Sequence, residues 1–525
     1  MSGAGTKNKN DDTAELRSVA PAAESATESS IGSFGGDNSR AASESKSALR
    51  NFLTNPILHL LLIITLCMLC FGRTLSSFFL ADDIGEVRYI CQIFDGHWNL
   101  FWSNFTGNYM QVPNMAVYRP MLLLSLVVDY FFWRGNAVGY YISNLLFFSG
   151  SACLLYVFLR QLTHDWNKGR SSIAAIFAAA LFAASPLHCE SISWIVGRVD
   201  SLCCFFYLSA LASFMQGRIS PTARRPICTV AGVVFFWLAI CTKEMAIGLA
   251  PVLAAIAFIW PDAGSNLTVN ENNESPSLKK RLLSAWKFSR PIWISTAAYF
   301  VVRLLALGTL LGGYGGSVGA SQSASALTKW MDPDSWRRLF LPFSSTVFSA
   351  GNPYEPALFC TYAVLVGLVF VRALAGSLPW KFIAFLAIWA LTQLAPIYRL
   401  FGIGANLEGA RFCFFFSLSF SSLLPILLFA PASKQIPEKL ALRLSLMAGI
   451  ALTIATVVLA KAAYASNLVW IHAGKEVRAV LNDAIRLSNN SSKSKYIVLG
   501  IPIEHGGVHM ILNGSTFEML LNKPF

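Results

Sequence analysis

Charge is what this sequence has least of. Asp, Glu, Lys and Arg make up 13% of its 525 residues, about half the share usual in a soluble domain. So little charge excludes an ordinary soluble globular enzyme or carrier. Metal-site patterning is also missing. The 11 cysteines fall mostly inside apolar runs, as the adjacent Cys203 and Cys204 do, and read as small buried hydrophobes. They build neither a zinc pattern nor a disulfide framework. An early apolar run is missing too, so residues 1–50 do not read as a signal peptide. Rich in Ser, Ala, Gly, Asn and Glu, they read as a disordered tail.

Hydrophobic residues fill the space that charge leaves. They make up 54% of the chain, and the mean hydropathy is +0.52. Long apolar runs recur from residue 52 to residue 465, the pattern of a polytopic membrane protein. The net charge of +13 sits mostly in short loops between those runs. It therefore reads as membrane topology and not as a nucleic-acid surface. Arg40, Lys46 and Arg50 before the first run place the N-terminus in the cytoplasm.

About 11 spans are expected, near 52–80, 138–159, 171–186, 200–216, 227–242, 246–260, 291–311, 357–374, 382–398, 412–430 and 444–465. The apolar stretch 120–133 is left out of that count. Its 14 residues rise only about 21 Å as a helix, against a hydrocarbon core of about 30 Å. It reads as a helix in the outer interface, which also keeps the basic loops cytoplasmic. A second long external section, 312–356, holds another candidate interfacial helix at 330–341. Beyond 465 the sequence suggests a small external α+β domain over 466–525. Its helix would cover 475–487, with strands 496–502 and 508–512 around a turn at His505-Gly506-Gly507. The expected organisation is thus a tail (1–50), an all-α catalytic bundle (51–465) and the small external domain.

Scarce charges repay inspection. Asp82 and Asp83 follow the first span directly, with Glu86 one turn later. An acidic pair inside hydrocarbon is costly, so it should face water. The pair fits a solvated helix end equally well as a site that orients a hydroxyl, accepts its proton or holds a metal. Further ionisable residues fall at the same expected depth: Arg119; His188, Glu190, Arg198 and Asp200; Lys243 and Glu244; Glu408 and Arg411. Each has a structural alternative, as an ion pair, a helix cap or a snorkelling cation. Asp95 and His97 read as solvated loop residues. Taken together, the set suits an anionic lipid-linked substrate. Arg411 or Lys243 would neutralise phosphate, and a carboxylate would activate an incoming hydroxyl.

These motifs, in this order, resemble the GT-C superfamily of polytopic glycosyltransferases. Within it, the likeness is to the transmembrane-and-TPR O-mannosyltransferases and their bacterial relatives. The residues that carry it are Asp82-Asp83, Tyr118-Arg119-Pro120, the Pro186 to Asp200 segment, Lys243-Glu244, and Glu408 with Arg411 before a phenylalanine-rich span. The resemblance covers roughly 55–430. It implies a GT-C-like bundle that transfers sugar from a polyprenyl-phosphate donor to a protein, lipid or glycan acceptor on the external side. It implies catalytic roles for Asp82, Asp83 and Glu190. Arg119, His188, Arg198, Asp200, Lys243, Glu244, Glu408 and Arg411 would then bind substrate. No cofactor is fixed by it, and a divalent cation at Asp82 and Asp83 stays open. The chain departs from the pattern in two ways. No helical repeat of about 34 residues follows residue 465, and Gly409-Ala410 separates Glu408 from Arg411. Both favour a bacterial-type enzyme of the inner membrane. The competing readings are a transporter or flippase for a lipid-linked saccharide, and a membrane scaffold without activity.

Overall fold

The computed structural model describes residues 55–112, 115–261, 277–310, 312–313, 328–349, 351–431, 436–490 and 500–525. The expected tail, the glycine-rich stretch 314–327 and the first four residues of the 496–502 strand lie outside them.

Helices dominate, and the sequence shows why several begin where they do. The first, α1 (Pro56–Phe71), opens on Asn55, whose side chain accepts the N–H groups of Ile57 and Leu58, with proline in the first turn. The section that follows holds α2 (Asp82–Phe94), α3 (Trp98–Thr106) and α4 (Pro120–Trp133). Asn136 caps α5 (Ala137–Leu162), and Asn167 caps α6 (Lys168–Ala183). Next come the short α7 (Cys189–Ser193), then α8 (Arg198–Ile219), α9 (Arg225–Ile240), α10 (Leu249–Ile259) and α11 (Leu278–Leu307). The rest are α12 (Pro333–Phe340), α13 (Tyr354–Leu374), α14 (Trp380–Leu394), α15 (Phe416–Phe429), α16 (Glu438–Asn490) and α17 (Gly514–Leu520).

Eight helices among the described residues are long and apolar enough to cross a membrane, or nine if α6 and the segment Pro186–Ser193, bent by 53°, form one broken span. The protein is therefore an all-α polytopic membrane protein. Side chains such as Leu305 (81% exposed) and Ile227 (73%) point outward, which is costly in water and normal against lipid. Of the expected spans, 246–260 and 412–430 coincide with helices below that length. Their apolar residues Leu249, Val252, Leu253, Leu418 and Ile426 are buried among neighbouring helices. The helix at 120–133 is present and short, as its length implied.

The expected boundary at 465 falls inside α16, which runs unbroken for 53 residues, about 80 Å. Its sequence has no proline, and nothing near 465 stops a helix. Gly474 in its C-terminal half lets the helix lie against residues 77 and 78; a Cβ there would stand 2.2 Å from the Ser77 Oγ. Strand structure in the C-terminal segment is smaller than expected. Among the described residues it is one antiparallel pairing, β1 (Glu504–His505) with β2 (Val508–His509), around the expected glycine turn. Val508, Met510, Ile511, Phe517 and Leu520 share a core with Phe79, Leu80, Ile84 and Val87, so this segment packs on α2 and the residues just before it.

Two buried ion pairs tie the helices. Arg198 of α8 pairs with Asp129 of α4 and donates to the Tyr140 carbonyl at 2.9 Å. Lys243 pairs with Asp200 of α8. Removing one partner strands the other's charge. Asp129→Ala should therefore cost about 3–5 kcal/mol, seen as a lower midpoint in detergent melting curves. The double variant Asp129→Leu with Arg198→Met should recover most of that loss.

Candidate active site

The site begins with a backbone turn. Ala81 sits at φ 46°, ψ −115°, a region costly for any residue with a Cβ. Its N–H donates to the Met510 carbonyl at 2.8 Å. Phe79 and Leu80 before it are fully buried. The turn starts α2 at the acidic pair, whose two members then part. Asp83 is fully buried. One of its carboxylate oxygens accepts the Leu80 N–H and the other the Val196 N–H, each at 3.0 Å. It thus fastens the start of α2 to the loop before α8. Asp82 instead borders a cavity of about 270 Å³.

That cavity also receives Glu190, Trp194, Glu408, Arg411 and His509. Arg411 stands 3.2 Å from Glu190 through Nε and lies over the Trp194 ring at 4.8 Å. The second Glu190 oxygen accepts the Gly409 N–H at 3.1 Å. Gly409 has φ +77°, and a Cβ there would meet the Gly402 carbonyl oxygen at 2.8 Å. This left-handed glycine starts the turn Ala410–Cys413, so residues 408 and 411 both reach the cavity despite their separation. The spacing that departs from the family pattern is built into the loop.

Burial raises the carboxyl of Asp82, while Arg411 and His509 pull it back down. Asp83 is pushed up to about 7 by burial, against the two backbone N–H groups that favour its ionised form. Glu86 is held well above the usual carboxylate range by burial, although it accepts the Tyr109 hydroxyl at 2.8 Å.

The other expected site residues lie off the cavity lining. His188 is buried between Phe182 and Phe414, with Nε2 2.9 Å from the Ser417 hydroxyl. Arg198, Asp200 and Lys243 form the ion pairs already described. Glu244 takes Arg303 at 2.8 Å and Arg119 at 3.8 Å. The structure thus brings Asp82, Glu190, Glu408 and Arg411 together and sets the remainder in the framework around them. Sequence reasoning missed Trp194, Ser466, Trp470 and His509 on the lining. It also missed Asp129 and Arg303. For those two a signal existed: each is a lone charge within an apolar run, which calls for a buried partner.

A shared metal site at the aspartate pair does not fit. Both Asp83 oxygens are engaged by backbone N–H groups. Among the described residues no three His, Cys, Asp or Glu side chains stand close enough to hold an ion. No step below is routed through a metal.

The split within the pair is measurable. Asp83→Asn sets an amide donor against a backbone N–H and should destabilise the protein by about 1–3 kcal/mol. Asp82→Asn should stay within about 0.5 kcal/mol of the parent. Detergent melting curves of both variants check this.

No family model matches the chain, and no solved structure matches it. Curated sequences do. The chain is 27% identical over 190 residues to protein O-mannosyl-transferase TMTC1 of Mus musculus, covering 34% of this chain and 20% of that protein. It is 28% identical over 168 residues to TMTC4 of Homo sapiens, covering 30% and 22%. Against Tmtc2 of Drosophila melanogaster it is 28% identical over 191 residues, covering 35% and 20%. The matched stretch is thus about a fifth of each relative's length. Over that stretch the chain resembles the protein O-mannosyl-transferases, which are of GT-C type, as the order of its acidic and basic motifs implied.

Proposed function

We propose that this protein is a membrane glycosyltransferase. It moves a sugar from a polyprenyl-phosphate carrier to a hydroxyl of a protein acceptor, on the external side of a membrane. The relatives' names suggest mannose as that sugar. Loop charge supports the external side, and the Glu408–Arg411 spacing supports a bacterial inner membrane. The observation that carries the reading is the meeting of an accessible carboxylate, Asp82, and a guanidinium, Arg411, in one cavity.

In the reaction the acceptor oxygen attacks the anomeric carbon. The bond from that carbon to the phosphate oxygen breaks, and polyprenyl phosphate leaves with the electron pair. Asp82 accepts the hydroxyl proton. Arg411 meets the phosphate charge that grows on departure, and Glu190 with Trp194 fixes its guanidinium. Leaving phosphate needs little acid assistance, so a base and a cation suffice. About 270 Å³ lies just under the usual range for ligand pockets and suits a head group without its lipid. An apolar crevice lined by Leu181, Leu339, Phe340, Phe420 and Leu424 shares Leu187 with the cavity, and its free volume of about 20 Å³ is too small for an isoprenoid chain. A transporter would hold its ionisable groups at mid-membrane on broken helices. Asp82 and Arg411 instead sit at the start of α2 and in a turn before α15.

Transfer from mannosyl-phosphoryl-polyprenol to an acceptor peptide by purified protein tests the reading. Asp82→Asn should lower kcat by about 100-fold or more, and Arg411→Ala should raise KM for the donor as well as lower kcat. Full activity in both variants would sink the proposal. The pH profile adds a second check. A base must be ionised, and burial holds Asp82 above the ordinary carboxylate range. The rate should therefore fall as pH drops through that raised value, beginning above the usual carboxylate pKa of about 4. Asp82→Asn should abolish that limb.

A further inference from the structure

The cavity has the wrong sign for an anion. Among the described residues on its lining, three carboxylates, Asp82, Glu190 and Glu408, stand against one guanidinium, Arg411. Glu190 already neutralises Arg411. Glu408 accepts the Asn406 N–H at 3.0 Å, which adds no charge. A phosphodiester entering there meets a net negative wall, and facing like charges cost affinity. One other group on the described lining can become a cation at neutral pH, the imidazole of His509.

Backbone pairing delivers His509 to that place. The turn at Gly506-Gly507, with φ of +58° and +86°, folds β2 back on β1 and pairs Glu504 with His509. Val508 and Met510, on either side of His509, are buried in the core with Phe79 and Leu80. Alternation along the strand turns the His509 side chain the other way, and it is exposed. The Met510 carbonyl accepts the Ala81 N–H at 2.8 Å, so His509 and Asp82 each adjoin one end of that hydrogen bond. The contact that fixes the Ala81 turn thus also brings the imidazole to Asp82, whose carboxyl it pulls down together with Arg411. Asp82, Glu190, Glu408 and Arg411 share the lining with His509, and Glu504 faces it from the paired strand. On α16, Glu476 is taken by His505 at 2.9 Å, and His472 lies against the His505 ring.

We propose that His509, as an imidazolium, is the second cation of the phosphate site and holds the carrier phosphate together with Arg411. The proposal rests on the transferase reading and adds a residue to it. His509 lies beyond the 55–430 resemblance, so none of the motifs that carry the likeness contains it. Transfer breaks the bond from the anomeric carbon to the phosphate oxygen, which keeps the electron pair, while the acceptor proton goes to Asp82. A diester with one negative charge becomes a monoester with up to two. A second cation therefore matters more as the carrier leaves than as it arrives.

The test uses the full chain in detergent, with His509→Gln, which removes the charge, and His509→Arg, which keeps it at every working pH. Ligand-induced melting shifts give Kd for mannosyl-phosphoryl-polyprenol, polyprenyl phosphate and uncharged polyprenol at about pH 6 and about pH 8. The donor is a diester and does not titrate in that range, so any pH dependence of its Kd belongs to the protein. At the lower pH, His509→Gln should raise the donor Kd about five- to tenfold and the polyprenyl phosphate Kd by more. Polyprenol binding and the ligand-free melting point should not change. An imidazole is cationic below its pKa and neutral above it, so the gap between parent and His509→Gln should close as pH rises. His509→Arg should match the parent at the lower pH and bind tighter than it at the higher. The carboxylates of Asp82, Glu190, Glu408 and Glu504 are common to all three proteins and cancel in these comparisons. Equal donor Kd for parent and His509→Gln at the lower pH overturns the proposal. So does weak binding by His509→Arg, since the imidazole then acts by something other than its charge. If Asp82→Asn keeps full transfer while His509→Gln still weakens donor binding, the second cation stands and the proposed chemistry falls.

Discussion

Everything around the cavity depends on one buried carboxylate accepting two backbone N–H groups. Asp83 joins Leu80, at the end of the first extended segment, to Val196, in the loop before α8. Burying that group is expensive, and only donors fixed in place offset the cost. Because the donors belong to separate segments, the carboxylate sets their distance. It also decides where its neighbour goes. Successive residues of a helix differ in direction by about 100°, so anchoring Asp83 inward turns Asp82 toward the cavity. A pair that looks redundant in sequence is thereby a support and a working group.

The same division runs through the other charges. Pairs deep in the bundle, Arg198 with Asp129 and Lys243 with Asp200, are mutually neutralised. They join helices and leave the cavity to fewer groups. Arg411 is held differently. Its partner Glu190 is also committed to the Gly409 N–H, and its other face rests on an indole. A guanidinium so placed keeps edges available to an incoming anion. The contrast between charges closed on each other and charges left to face a cavity is what separates framework from site here.

Much of this was legible in the sequence. Apolar run length and loop charge are long-range, additive signals, and they predicted a polytopic helical protein with a short helix at 120–133. Residues 82, 190, 408 and 411 were singled out and do meet. Other features were not legible for physical reasons. His188 and Arg198 look functional in sequence because polarity is visible there, whereas the aromatic or ionic partner that absorbs it is far along the chain.

The backbone of Ala81 carries a last consequence, one of timing. Its unfavourable dihedrals are held by a carbonyl from Met510 and by the packing of residues 508–520 against Leu80 and Ile84. Strain of this kind persists only where surrounding structure imposes it. During synthesis the spans of the bundle enter the membrane in order, long before that segment leaves the ribosome. A nascent chain therefore owns its helices and its charges without owning the turn that aims Asp82. Its cavity is completed only once the segment 508–520 has been made and has packed on Leu80 and Ile84.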